Sequence, residues 1–390
     1  MGRDPRAIRA RRRAAVARRR RLAAAAGVAA ILALIAGAVI GAGSGDDGAP
    51  APQPPAPIDR LADLGARELA GQRLVAGFGG ADPPQGLLRM LGRGELAGVI
   101  LFADNLTGGR ADARMTRELQ RAAGRAPIEA PLLVMTDQEG GQVERLPGPP
   151  GASATEMGAR GTGYARSRGR ATAASLIDAG INVDLAPVLD LGRPGAALAA
   201  EGRTFGTRPA EVTAVGVDGF AAGLRAGGVA AAAKHFPGLG GAATNTDFAA
   251  QEIGLGAGTL RREDMAPFGA FADDGGELIM LGLATYPALS RRPAALAPEI
   301  ATGELRDRLG FEGVSITDSL DAAAARAWGD RREVALAAAA AGDDLLLYGD
   351  WRTAAQVGDD LVGALRRGRL VRAGFEESAR RVVALRDSLR

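Results

Sequence analysis

From Ile58 onward the sequence carries eight short apolar runs, each separated from the next by a longer Ala/Leu/Arg-rich helical stretch. No other feature limits the possible folds as strongly. The runs are LVAGFGG from Leu74, GVILFADNL from Gly98, PLLVMTDQEGG from Pro131, INVDLAPVLDL from Ile181, GVAAAAKHFPG from Gly228, ELIMLGLATYP from Glu277, GVSITDSL from Gly313 and DDLLLYGD from Asp343. Apolar runs of this length with helices between them are the pattern of parallel strands buried on both faces. Eight such βα units across residues 59–390 predict an α/β fold, a closed (β/α)8 barrel of the TIM type. An open doubly wound sheet is the alternative, but no Gly-rich phosphate loop follows the first run.

Each run begins apolar and ends polar. The third ends in Asp137-Gln138-Glu139, the fourth at Asp190, the fifth in Lys234-His235 and the seventh in Thr317-Asp318. In a barrel these ends share one rim, and the rim is where barrel enzymes keep their chemistry. A lone acid at such a place serves equally well as a helix cap. Several acids converging on one rim beside a Lys-His pair instead suggest carboxylate chemistry. Glycosidic cleavage needs such a set: a nucleophile or base, and a proton donor to the leaving oxygen.

Composition sharpens the Lys-His pair. Of 48 basic residues 47 are Arg, so Lys234 is the only Lys, and the adjacent His235 is the only His. A chain that uses Arg wherever a positive charge is enough has kept here a compact ammonium and a titratable ring. A packed histidine is the plainer reading of the same pair. There is no Cys, which excludes disulfides, thiolate metal sites and Cys nucleophiles. The one His has no evident ligand partners, so no metal is expected, and no nucleotide or flavin cofactor either.

The overall charge of +3 is an average of unlike parts. Residues 1–21 hold ten Arg and one acid, a local charge of +9, which leaves the remainder at −6. A mildly acidic body argues against nucleic-acid binding. Residues 22–44, LAAAAGVAAILALIAGAVIGAGS, contain no charge and are long enough to span a bilayer. With the basic flank held in the cytoplasm, the rest is expected to be exported, with residues 22–44 as a membrane anchor or a cleaved signal segment. Residues 45–58 are rich in Pro and Ala and predict a semi-rigid spacer.

Four blocks then carry a resemblance: TDQEGGQVERL at 136–146, EGRTFG at 201–206, KHFPG at 234–238 and GVSITDSL at 313–320. In this order, each at a strand end or just beyond one, they resemble glycoside hydrolase family 3, and within it the single-domain β-N-acetylglucosaminidase branch. The likeness spans roughly residues 60–390. Larger members add a C-terminal sandwich domain, for which this chain has no room. The resemblance implies that Asp318 is the nucleophile that forms a covalent glycosyl-enzyme. It also implies that Asp137, Arg145, Arg203, Lys234 and His235 hold the sugar in the first subsite. An Asp accepts from sugar hydroxyls and Arg and Lys donate to them, so the roles suit the residue types.

One departure stands out. In this branch KHFPG is usually followed by HG and then by an Asp-Ser-His triplet on a mobile loop, whose His is the acid/base. Here the segment reads KHFPGLGGAATNTDF, so Leu239 replaces the first His and the triplet becomes Asn245-Thr246-Asp247. Ala322 likewise stands where the family often has Met. The glycines of residues 238–241 have the composition of a movable segment. Three readings stay open: Asp247 is the acid/base, another rim acid such as Glu201 serves, or the domain binds glycan without turnover. The expectation is a monomeric, extracytoplasmic retaining exo-β-N-acetylglucosaminidase acting on a carbohydrate substrate. A β-glucosidase-like specificity and a membrane-tethered glycan-binding protein are the alternatives.

Overall fold

The computed structural model describes Leu61 and residues 64–389. The leader at 1–21, the apolar segment at 22–44 and the linker at 45–58 lie outside the described residues. Each of the eight apolar runs contributes one parallel strand. These are β1 (Leu74–Ala76), β2 (Gly98–Ile100), β3 (Leu133–Thr136), β4 (Val183–Asp184), β5 (Ala230–Phe236), β6 (Leu278–Leu281), β9 (Val314–Thr317) and β10 (Leu346–Tyr348). Their order in the sheet is β10-β1-β2-β3-β4-β5-β6-β9. A parallel bridge between Ile316 and Leu345 joins the last strand to the first, and the Thr317 amide donates to the Leu345 carbonyl over 2.9 Å. The sheet is therefore closed into the barrel that the alternation predicted.

Closure divides the apolar residues into two layers. One cluster fills the barrel and includes Val75, Leu133, Met135, Val183, Leu185, Ala230, Ala232, Leu278, Met280, Val314, Ile316 and Leu347. The other lies between the strands and the surrounding helices. Successive side chains on a strand face opposite ways, so each run has to be apolar on both faces to supply both layers. Each buried Leu, Ile or Val is worth about 1.5–3 kcal/mol relative to exposure.

The C-terminal helix Arg372–Ser388 contributes Val382 and Leu385 to the inner cluster, and so stoppers one end of the barrel. Its buried Arg386 donates to the carbonyls of Pro131, over 2.7 Å, and Ala130, over 2.8 Å. Those carbonyls belong to the chain entering β3, so the stopper sits at the N-terminal end of the strands. The opposite rim is left for function.

The sequence did not foretell a two-stranded antiparallel hairpin, β7 (Thr285–Tyr286) with β8 (Ser290–Pro293), directly after β6. Its two strands are too short for hydrophobic alternation to register. The hairpin braces the segment after β5: the Thr285 amide donates to the Gln251 carbonyl over 2.8 Å, and the Ile253 amide returns to the Thr285 carbonyl at the same distance. Among the described residues no helix is long and apolar enough to cross a membrane.

Candidate active site

Three strands carry the inward-facing register one step beyond the hydrophobic filling. Leu133 and Met135 of β3 face inward, and the next residue in that register is Asp137. Ala230 and Ala232 of β5 lead in the same way to Lys234, and Val314 and Ile316 of β9 lead to Asp318. A period of two thus places one acid, one ammonium and a second acid over the barrel axis at the C-terminal rim. Lys234 Nζ lies 2.6 Å from Asp137 Oδ1 and 2.7 Å from Glu139 Oε1.

Glu139 joins this centre to the loop after β4. Arg203 grips it with two parallel hydrogen bonds, Nε to Oε2 at 2.8 Å and Nη2 to Oε1 at 2.9 Å. Arg203 also reaches Glu201 at 3.1 Å. Burial alone would raise the Glu139 carboxyl, but Lys234 and Arg203 overcome it and hold the group down at about 2. Burial would likewise strip the Lys234 proton, and the charges of Asp137 and Glu139 reverse that, raising its pKa above the ordinary lysine value. Arg203 is driven the same way by Glu139 and Glu201 against its own burial. Glu139, Lys234 and Arg203 are therefore charged at neutral pH. Such a buried pair is strongly destabilising when one partner is removed, by about 3–5 kcal/mol.

Arg145 sits at the edge of this cluster, 3.9 Å from Asp137 Oδ2, and its Nε is buried without a partner. Its loop is shaped by Gln138. The Gln138 side chain accepts from the amides of Arg145, at 2.9 Å, and Leu146, at 3.0 Å, and donates to the carbonyls of Leu146 and Pro149.

β5 is irregular where it matters. Its register against β6 shifts between Ala233, opposite Ile279, and Phe236, opposite Leu281. Lys234 and His235 together thus face a single partner residue, and such a bulge re-aims side chains. His235 is buried, and its ring Nδ1 lies 2.8 Å from Asp190 Oδ2.

Asp318 follows β9, and its amide donates to the Leu281 carbonyl over 2.8 Å. One carboxyl oxygen accepts from the Ser319 amide at 2.8 Å, which leaves the other available. The group is partly exposed at the rim. Withdrawal from water pushes its pKa up, Asp247 adds to the rise, and His235, the Ser319 amide and Lys234 offset part of it.

The loop bearing Asp247 is tied down at several points. Leu239 and Ala242 are in the core. A Cβ on Gly240 would stand 2.0 Å from the Leu191 carbonyl oxygen, so that glycine permits close backbone approach. Farther along, the carbonyls of Thr246 and Asp247 accept from the amides of Ala324 and Ala323, at 3.1 and 3.2 Å. The Asp247 side chain is exposed.

The structure thus brings Asp137, Lys234, Arg203, His235 and Asp318 to one rim, with Arg145 at its edge, Glu201 on Arg203 and Asp247 on the loop beside Asp318. Sequence reasoning did not single out Glu139 as a site residue, although it bridges two that were named. Its sequence signal was its place in the polar end of the third run, two residues after Asp137. Asp190 was read as one more strand end, and its hold on His235 is visible only in three dimensions.

The profile described as the glycosyl hydrolase family 3 N-terminal domain matches residues 70–385. An uncharacterized secreted glycosyl hydrolase of Arthroderma benhamiae is 36% identical over 329 residues, covering 82% of this chain and 93% of that protein. Among solved structures, a family 3 β-N-acetylglucosaminidase from a Paenibacillus species superposes with a TM-score of 0.79 at 30% identity, over 84% of this chain and under two thirds, 63%, of its own. A β-N-acetylhexosaminidase from Beutenbergia cavernae gives 0.77 at 32% identity, over 83% of this chain and 99% of its own. With its closed parallel barrel and a carboxylate-rich rim, the chain belongs to glycosyl hydrolase family 3 and is a glycoside hydrolase.

Proposed function

We propose that the chain is a retaining exo-β-N-acetylglucosaminidase in which Asp318 is the nucleophile and Asp247 the acid/base. The observation that carries this reading is the setting of Asp318: a partly exposed carboxyl with one free oxygen, on the same rim as a charged Asp137–Lys234–Glu139–Arg203 cluster. The β-N-acetylglucosaminidase and β-N-acetylhexosaminidase named among the structural relatives support the choice of sugar.

In the first step the ionised Asp318 attacks the anomeric carbon while Asp247 donates its proton to the departing oxygen. The glycosyl-Asp318 ester is then opened by water, whose proton returns to Asp247. Asp137, Lys234, Arg203, Arg145 and His235 hold the sugar hydroxyls. Contacts of this kind direct binding energy into distorting the ring. Glu201 already gives one oxygen to Arg203, which favours Asp247 for the proton transfer.

The working location is outside the cytoplasm, supported by the Arg-rich leader and uncharged segment and by the secreted relative. Residues 22–44 tether the domain to a membrane through the Pro-rich spacer, and the catalytic unit acts as a monomer. Full-length protein should therefore sediment with membranes, and a chain starting at Asp59 should stay soluble.

A panel of nitrophenyl glycosides tests the function. Fast release from the β-N-acetylglucosaminide, lost in Asp318→Asn, is expected. Preference for the β-glucoside would shift the specificity, and sugar binding without release from any member of the panel would make the domain a glycan-binding module.

A further inference from the structure

Asp190 lies outside the sugar-holding set, yet it is fully buried and makes three contacts, two with His235 near the end of β5 and one with Leu239 just beyond it. Its Oδ2 accepts from the backbone amide of His235 at 3.1 Å and lies 2.8 Å from that residue's ring Nδ1. Its Oδ1 accepts from the amide of Leu239 at 2.5 Å. Both oxygens are thus engaged as acceptors by backbone donors that cannot reverse their polarity. A proton on Nδ1 completes the contact at Oδ2 as a third donation to the same carboxyl. The other ring nitrogen, Nε2, has no hydrogen-bond partner among the described residues and is not among their sealed, unpartnered polar atoms.

We propose that Asp190 is a positioning residue that locks neutral His235 as its Nδ1–H tautomer, so that the bare Nε2 accepts a hydrogen bond from a sugar hydroxyl. The same carboxyl fixes the Leu239 amide near the start of the loop that leads to Asp247. One group therefore sets both the polarity of a sugar contact and the root of the loop beside the nucleophile. The role in sugar binding rests on the proposed function, whereas the tautomer does not.

Lys234 next door can only donate, and Asp137 and Glu139 are already turned toward it. Beside this donor, an Nε2 lone pair adds an acceptor for a hydroxyl proton to the free oxygen of Asp318. The loop root has other supports. The Tyr286 hydroxyl donates to the Gly238 carbonyl over 2.9 Å, and Asp264, held by Arg193 at 2.6 and 2.9 Å, lies beneath Gly238. Loss of Asp190 should consequently reset His235 without unravelling the loop.

His235 is the only histidine in the chain, so imidazole nitrogen signals of 15N-histidine-labelled protein belong to this residue alone. At a pH where the ring is neutral, wild-type protein should show a pyrrole-type Nδ1 and a pyridine-type Nε2. Addition of N-acetylglucosamine should move the Nε2 resonance. In Asp190→Asn the side-chain amide presents a donor to one of the three groups, and the tautomer should become mixed or reversed. The kcat/KM of that variant on an activated glycoside should fall about 10²-fold, the scale of a small misplacement of a positioned group. A neutral wild-type ring protonated at Nε2, or a tautomer unchanged in Asp190→Asn, would overturn the proposal. The wild-type spectrum needs neither a variant nor turnover, so it separates failure of this inference from failure of the assigned activity.

Discussion

The backbone carbonyl of Asp247 accepts a hydrogen bond from the amide of Ala323, 3.2 Å away, five residues past Asp318. The loop after β5 and the segment after β9 are thereby stitched together beside Asp318. The exposed Asp247 side chain is carried on the loop so held. Asp247→Ala should slow hydrolysis of substrates with poor leaving groups by about 10²–10⁴-fold and change nitrophenyl glycosides far less, because nitrophenolate barely needs a proton. Equal losses on both substrates would remove Asp247 from the proton transfer.

The pH profile offers a second reading of the same pair. Burial and the charge of Asp247 raise the Asp318 carboxyl above its ordinary value of 3.8. A nucleophile must be ionised, so the acid limb of kcat/KM should lie above that pH. An acid limb at or below 3.8 would contradict the assignment.

Glu139 makes a stability prediction whose sign follows from its pKa. The folded value of about 2 lies below the unassociated 4.5, so the unfolded chain binds the proton more readily. The stabilisation is complete above pH 4.5 and is lost as pH falls toward 2. The shift corresponds to about 3 kcal/mol. Glu139→Gln, which leaves Lys234 to Asp137 and Arg203 to Glu201 and removes the acid they share, should lower thermal stability at neutral pH by a comparable amount. The gap from wild type should shrink in melts recorded between pH 4.5 and the acid limit.

Gly240→Ala should separate the loop from the barrel. The added Cβ would stand 2.0 Å from the Leu191 carbonyl oxygen, a clash that backbone must relieve by moving. Overpacking of this kind costs about 1–3 kcal/mol. Turnover should drop by more than stability alone accounts for, since the displaced segment leads to Asp247. Activity and melting temperature measured on one preparation would decide it. Wild-type turnover in a folded variant would show that the contact is dispensable.

The amino-acid sequence by itself determined the barrel and most of its rim. Strand identity is written in contiguous residues, so the runs from Leu74 to Asp343 are legible as eight buried strands, and Asp137, Lys234 and Asp318 are legible as their polar ends. Residues 285–293 carried no such signal, because strands as short as β7 and β8 are specified by what they pack on. Tertiary structure alone decided who meets whom. Lys234 finds Asp137 across 97 positions of sequence, and His235 finds Asp190 across 45. Local periodicity says that each side chain points inward. Only closure of the sheet sets the distances between those side chains, and with them the charge that Glu139 keeps and the proton that Asp318 holds more tightly.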